Sequence, residues 1–203
     1  MKKNTPPTRM ELLKLQKKKK LAEKGHTLLE KKRDALIHEF LQRIETYKQL
    51  KKDVYADLQD AYTTLHITQA LNGVDIVKSI GDSQKPTFNI EQDQQNLMGI
   101  TVPTYNVKTK KPSQNIDLLG TSKEVKKSRK DFQNVVIQII KLAEIEEVIY
   151  LLAEEIKKTK RRVNSLEHIK IPGMKNQEKK IKRQLDELER EEFTRLKKIK
   201  ERL

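Results

Sequence analysis

"KGHTLLEKKRDALIHEF", residues 24–40, follows four consecutive lysines, Lys17 to Lys20, and mixes an apolar helical stripe with a dense positive face. Leu29, Leu36 and Phe40 recur at spacings of seven and four, which puts them on one side of a helix. The pattern extends both ways, through Leu15 and Ala22 upstream and through Tyr47, Leu50, Val54, Leu58, Ala61 and Leu65 downstream. Pro6 and Pro7 precede Thr8, and Glu11 stands three residues on, the spacing of a capping box that satisfies free amides at a helix start. No proline follows until Pro86, so the periodicity predicts one continuous helix to about Ile80. At 1.5 Å per residue such a helix is on the order of 100 Å long, and alone it has no means of hiding its stripe from water.

The second half of the chain supplies a partner. Thr121 and Glu124 repeat the capping-box spacing after Gly120, and a second stripe runs through Val125, Phe132, Val135, Ile139, Leu142, Ile149, Leu152, Ile156, Val163 and Leu166. "KIPG" at 170–173 interrupts it, because Pro172 lacks an amide hydrogen and disfavours helix at Ile171. The pattern resumes through Met174, Ile181, Leu185, Leu188, Leu196 and Ile199. Folding the chain back packs the two stripes as an antiparallel coiled coil, with both termini at one end and residues 31–40 roughly beside 161–170.

The expected fold is therefore dominated by α-helix: residues 1–80 and 121–203 form the two long helices, the second interrupted near 169–173, and residues 81–120 form a head between them. That middle segment is neutral by count and holds Pro86, Pro103 and Pro112. "TFNI" (87–90) and "GITV" (99–102) alternate polar and apolar residues around the polar "EQDQQNLM", which suggests a small β-hairpin. Pro103 is expected to confine the second strand to an edge or to end it.

Composition agrees with a long, thin arrangement rather than a compact domain. Of 203 residues, 36% are charged and only 4% aromatic, with no tryptophan. The absence of cysteine excludes disulfides and thiolate metal sites and fits a reducing compartment. The longest apolar run, residues 135–156, is broken by Gln138, Lys141, Glu144, Glu146 and Glu147, so no membrane span is expected. Lys2 and Lys3 are not followed by the apolar core of a signal peptide, which reads as a cytosolic protein.

The net charge of +15 is concentrated at the two ends of the sequence. Residues 2–33 carry 12 Lys or Arg against 3 acids, and residues 157–203 carry 17 against 8, while everything else sums to −3. Antiparallel folding brings these basic segments together. Lysine runs neutralise phosphate well, so one reading is a basic coiled-coil protein that binds nucleic acid or an anionic surface. Phe193 is the only aromatic residue in the basic segments, however, and no groove-reading module is recognisable, which favours a protein partner.

No catalytic or metal-ligating residues are expected. The chain has no phosphate-cradling loop of the GxxxxGK type, and His26, His38, His66 and His168 lack the spacing of a helical metal site. The acids of "DELEREE" (186–192) read as i,i+4 partners, Asp186 for Arg190 and Glu191 for Arg195, rather than as an acid and base facing a cleft. Gly25, costly inside a helix by about 1 kcal/mol relative to alanine, reads as a close approach of the partner helix.

Four motifs then carry a resemblance over essentially the whole chain: "AEKGHTLLEKKRDAL" (22–36), "NLMGITVP" (96–103), "RRVNSLEHIKIPG" (161–173) and "LDELEREEFTRLKKIK" (185–200). Together, and in this order, they resemble the D subunit of the V-type and archaeal A-type rotary ATPases, the central rotor shaft. The resemblance implies a non-catalytic protein with no cofactor. Its terminal end would enter the cavity of a hexamer of A and B subunits, and the F subunit would clamp its side. The head, with Met98, Gly99 and Pro103, would couple through the C subunit (named d in eukaryotes) to a membrane ring moving H⁺ or Na⁺. Lys24, Lys32, Arg33, Arg161 and Arg162 would face the hexamer. Gly25, Leu29, Leu36, Val163, Leu166 and Pro172 would form the seam between the helices.

Overall fold

The computed structural model describes residues 8–82, 88–109 and 123–201. In chain order these form α1 (Arg9–Asn72), α2 (Val74–Asp82), β1 (Phe88–Leu97), β2 (Ile100–Thr109), α3 (Lys123–Ser165), a π-helical turn (Leu166–Lys170) and α4 (Ile171–Lys200). The fold is the expected one in kind: a long N-terminal helix packs against the C-terminal helices, and a two-stranded antiparallel hairpin lies between them in sequence. The chain divides into two compact units, one of residues 1–35 with 156–203 and one of residues 36–155.

At the start of α1 the Glu11 amide donates to Thr8 Oγ1 at 3.2 Å and the Leu12 amide to the Thr8 carbonyl at 3.0 Å. This is the N-cap that the Thr8–Glu11 spacing predicts. The corresponding Thr121 cap lies outside the described residues. The continuous helix expected to about Ile80 instead ends at Asn72. Gly73 takes φ +84, a left-handed conformation that glycine adopts without a Cβ penalty, and α2 starts immediately after it.

In the first unit, Arg9 pairs with Glu189 at 2.6 Å, Lys19 with Glu178 at 2.7 Å, and His26 lies 3.8 Å from Glu167. Each step up α1 is met by a step down the returning helix, so the two run antiparallel. The second unit repeats the relation. Gln138 Nε2 donates to Asp57 at 2.7 Å, the Tyr62 and Phe132 rings meet edge to face at 5.5 Å, and Thr68 Oγ1 lies 3.3 Å from the Glu124 carbonyl. Val54, Ala61 and Thr68 are buried at seven-residue intervals on α1, as are Ser128 and Val135 on α3.

Pro172 sits in the first turn of α4, just after the π-helical turn. Ser165, Lys170 and Ile171 all keep right-handed helical dihedrals, so the chain stays helical through the segment expected to be interrupted. The Ile171 amide reaches back to the Leu166 carbonyl, one residue farther than in an α-helix. That wider turn accommodates the proline, which has no amide to offer and whose ring would crowd the carbonyl four residues back.

The strands are longer than alternation suggested. β1 and β2 pair without a slip from Phe88↔Thr109 to Leu97↔Ile100, and the polar run expected to link them is strand. Met98 (φ +55) and Gly99 (φ +86) form a two-residue turn with both central residues left-handed, the type I′ geometry that matches strand twist. The Gly99 amide donates to Asn96 Oδ1 at 2.9 Å and locks the turn. Pro103 lies inside β2, opposite Gln94, rather than ending it. In a type I′ hairpin Leu97 and Ile100 form the first hydrogen-bonded pair, so by alternation Gln94 and Pro103 form a non-bonded pair. The proline nitrogen there faces away from β1, where no hydrogen is needed.

A methionine held left-handed is strained on the order of 1 kcal/mol, and asparagine tolerates that region better. Met98→Asn should therefore stabilise the hairpin by up to about 1 kcal/mol, read as slower amide exchange at Asp93 and Gln95. An unchanged exchange rate would mean that the turn is not strained at Met98.

Candidate functional site

No group of three or more His, Asp or Glu among the described residues is placed to hold a metal, and none of their helices is long and apolar enough to cross a membrane. The chemistry concentrates instead on cation-rich helix surfaces in the first unit. Lys24, Arg161 and Arg162 are exposed there, while Lys32 and Arg33 are half-buried. Arg33 is not a free cation. Its Nε and Nη2 both donate to Asp34 Oδ1, at 2.9 and 2.8 Å.

The seam residues divide by depth. Leu36 and Val163 are fully buried, whereas Leu29, Leu166 and Pro172 are half-buried. The close approach expected at Gly25 is absent, since a Cβ built there would meet nothing within 4 Å. The position is an ordinary helix interior that happens to carry glycine. In the hairpin, Met98 and Gly99 make the turn and Pro103 is half-buried in β2.

Several contacts have no signature in the sequence. Glu178 is the hub of a polar cluster, accepting from Lys19 at 2.7 Å and Gln16 at 3.1 Å, with Lys182 at 4.0 Å. The hydrogen bond from Lys19, followed by that from Gln16, holds the Glu178 carboxyl below the usual carboxylate range. The same bond raises Lys19 above the usual lysine range. Around this cluster Lys19, Lys175, Lys179 and Lys182 line a concavity of about 410 Å³ beside Pro172. His26 lies between Glu30 (3.5 Å) and Glu167 (3.8 Å), and its buried Nε2 has no hydrogen-bond partner among the described residues.

The expected i,i+4 pairs of Asp186 with Arg190 and Glu191 with Arg195 are not among the ion pairs formed by the described residues; Glu189 reaches across to Arg9 instead. All these side chains are exposed. At such positions a same-helix pair is worth only a few tenths of a kcal/mol, so water competes with it successfully.

Two measurements follow from this geometry. Because nothing stands where a Cβ would go, Gly25→Ala should stabilise the chain by about 1 kcal/mol in thermal or denaturant unfolding; destabilisation would restore the close-approach reading. The lowered Glu178 carboxyl stabilises the fold above the ordinary carboxylate range, and this contribution is lost as pH falls through its folded value. The raised Lys19 ammonium stabilises below the ordinary lysine range, and that is lost as pH rises through its folded value. Lys19→Met should therefore move the Glu178 titration, followed by carboxyl NMR, to higher pH. An unmoved midpoint would contradict the pairing.

Comparison with known proteins matches this architecture to one family. The family described as the D subunit of ATP synthase matches residues 11–201. The chain is 43% identical to the A-type ATP synthase D subunit of Pyrococcus furiosus over 197 residues, covering 96% of this chain and 92% of that protein. It is 41% identical to that of Methanobrevibacter smithii, covering 96% and 85%, and 39% identical to that of Methanopyrus kandleri, with the same coverage. A match running through both long helices and the hairpin, at this identity, means that the chain belongs to the family of ATP synthase D subunits.

Proposed function

We propose that the chain is the central-stalk component of an A-type ATP synthase, a rotor shaft that does no catalysis itself and transmits torque between ATP turnover and ion movement. The observation that carries this is the family match across residues 11–201, which takes in both helices of the antiparallel pair. In this reading the chain works in the cytoplasm, peripheral to the membrane. The hexamer of A and B subunits surrounds the basic helices, the F subunit holds the side of the shaft, and the hairpin region couples through the C subunit to the membrane ring.

The physical logic is that of a bearing. A shaft that must pass between equivalent positions in a ring needs a stiff interior and weak, exchangeable outer contacts. Fully buried Leu36 and Val163 suit the first requirement. Lys24, Lys32, Arg33, Arg161 and Arg162 suit the second, since exposed ion pairs contribute at most about 1 kcal/mol each and release readily. The half-buried Arg33, already engaged by Asp34, would reach a partner only by exchanging that carboxylate for another.

A tagged chain recovered from native membranes at about 0.3 M salt, where exposed charge pairs are well screened, should retain A, B, F and C type subunits by mass spectrometry. Recovery of none of them, with nucleic acid held only at lower salt, would replace the rotor reading with that of a basic nucleic-acid binder. Substituting Glu at both Arg161 and Arg162 should weaken capture of the A and B hexamer by about tenfold, the order expected from losing two exposed pairs, while leaving the fold intact by circular dichroism.

A further inference from the structure

The hairpin has two outer edges, and they differ in how far they are closed. Because the type I′ turn makes Leu97 and Ile100 a hydrogen-bonded pair, the backbone groups of residues 90, 92, 94 and 96 on β1 and of 101, 103, 105 and 107 on β2 point away from the hairpin. On β2 the two central positions of that outer row are already disabled. Pro103 has no amide hydrogen, and the Tyr105 amide is taken by Glu144 of α3 at 3.1 Å. Val102, next to Pro103 in sequence, is buried.

The edge of β1 is the opposite case. Every residue from Asn89 to Asn96 is exposed, and the outward amides of Ile90, Gln92, Gln94 and Asn96 have no acceptor among the described residues. Exposed edges are normally blunted with proline, a bulge or charged side chains, lysine above all, and the charges of β1 are confined to Glu91 and Asp93. β1 contains no proline or lysine, and its pairing with β2 runs unbroken over ten residues. The result is an unbulged edge with four outward positions.

We propose that this edge receives an extended, basic strand from a neighbouring protein of the assembled complex, extending the hairpin to a three-stranded sheet. The proposal rests on the rotor reading for the presence of such a neighbour. Backbone hydrogen bonds would supply the register and side chains the selectivity. β1 carries Glu91 and Asp93 and no cation of its own; Lys108 of β2 pairs with Glu91 at 2.6 Å and Asn106 donates to Asp93 at 2.8 Å, so Asp93 is the carboxylate that no cation among the described residues offsets. A second copy of this chain laid against the same edge would bring two Asp93 carboxylates toward one another, and like charges side by side destabilise a ladder. A strand with Lys or Arg beside Asp93, and polar residues beside Gln92 and Gln94, fits instead.

The test compares amide exchange at single-residue resolution in the isolated full-length chain and in the complex purified from membranes. The outward amides of Ile90, Gln92, Gln94 and Asn96 should exchange freely in the isolated chain and slow by about tenfold or more in the complex. Those of Glu91, Asp93 and Gln95, which face β2, should be slow in both. Gln92→Pro deletes one outward amide and leaves the pairing with β2 untouched, as Pro103 does across the hairpin; it should weaken incorporation about tenfold, whereas Gln92→Thr should not. If the proline variant fails to form the hairpin, the exchange comparison on the unsubstituted chain decides alone. Outward amides equally fast in both states, in a chain that does assemble, would overturn this proposal and leave the rotor reading standing. Failure of the chain to join any ATPase component would overturn both. Protection that appears in the isolated chain and grows with its concentration would show self-pairing and overturn the choice of occupant.

Discussion

Each long helix of this chain has an apolar stripe too narrow to sustain it and too long to leave in water. Burial of one stripe against the other is the interaction from which the remaining structure follows. Isolated helices gain little from propensity alone, so their persistence depends on such packing. Ala61, Thr68, Ser128 and Thr159 are all buried, and the larger Leu36, Leu152 and Val163 fill the space that remains. The hydroxyl of Thr68 bonds to the Thr64 carbonyl at 2.7 Å, so burying it need not leave a polar atom unsatisfied.

The sequence made this pairing legible, and for a clear reason. Heptad-like spacing of Leu29, Leu36, Val54 and Ala61 is a direct imprint of helical geometry, and it survives without knowledge of any neighbour. The break at Gly73 was hidden by the same signal, because apolar residues continue through Val74, Ile76 and Ile80 whether or not the helix does. The strands were undercounted for the complementary reason. Residues 91–96 are acids and amides without alternation, and what holds them is the turn at Met98 and Gly99 together with backbone bonding. Buried Thr159 and Ser128 escaped a search for apolar residues, although they occupy seam positions.

For the candidate site, the sequence carried the location of charge but not its neighbours. Counting lysines and arginines finds the basic segments; it does not reveal that Arg33 is engaged by Asp34 or that Glu178 draws in Lys19 and Gln16. The Glu178 contacts depend on which turn of α1 lies opposite which turn of α4. Gly25 illustrates the converse error, in which a residue type was given a tertiary meaning that its surroundings do not support.

Pro172 and Pro103 solve the same problem in different settings, and the comparison explains how this chain tolerates proline inside regular structure. In the strand, the missing amide falls at a position whose hydrogen would have faced outward, so the ladder loses nothing. In the helix no position faces outward, and the backbone must instead change its hydrogen-bonding step, which it does over Leu166–Lys170. The wider turn leaves His168 and Ile169 exposed on the surface and brings Glu167 within 3.8 Å of His26. A single imino acid thus coincides with a change in the hydrogen-bonding step of the returning helix. Between them, the two prolines mark one place where the backbone had to adapt and one where it did not.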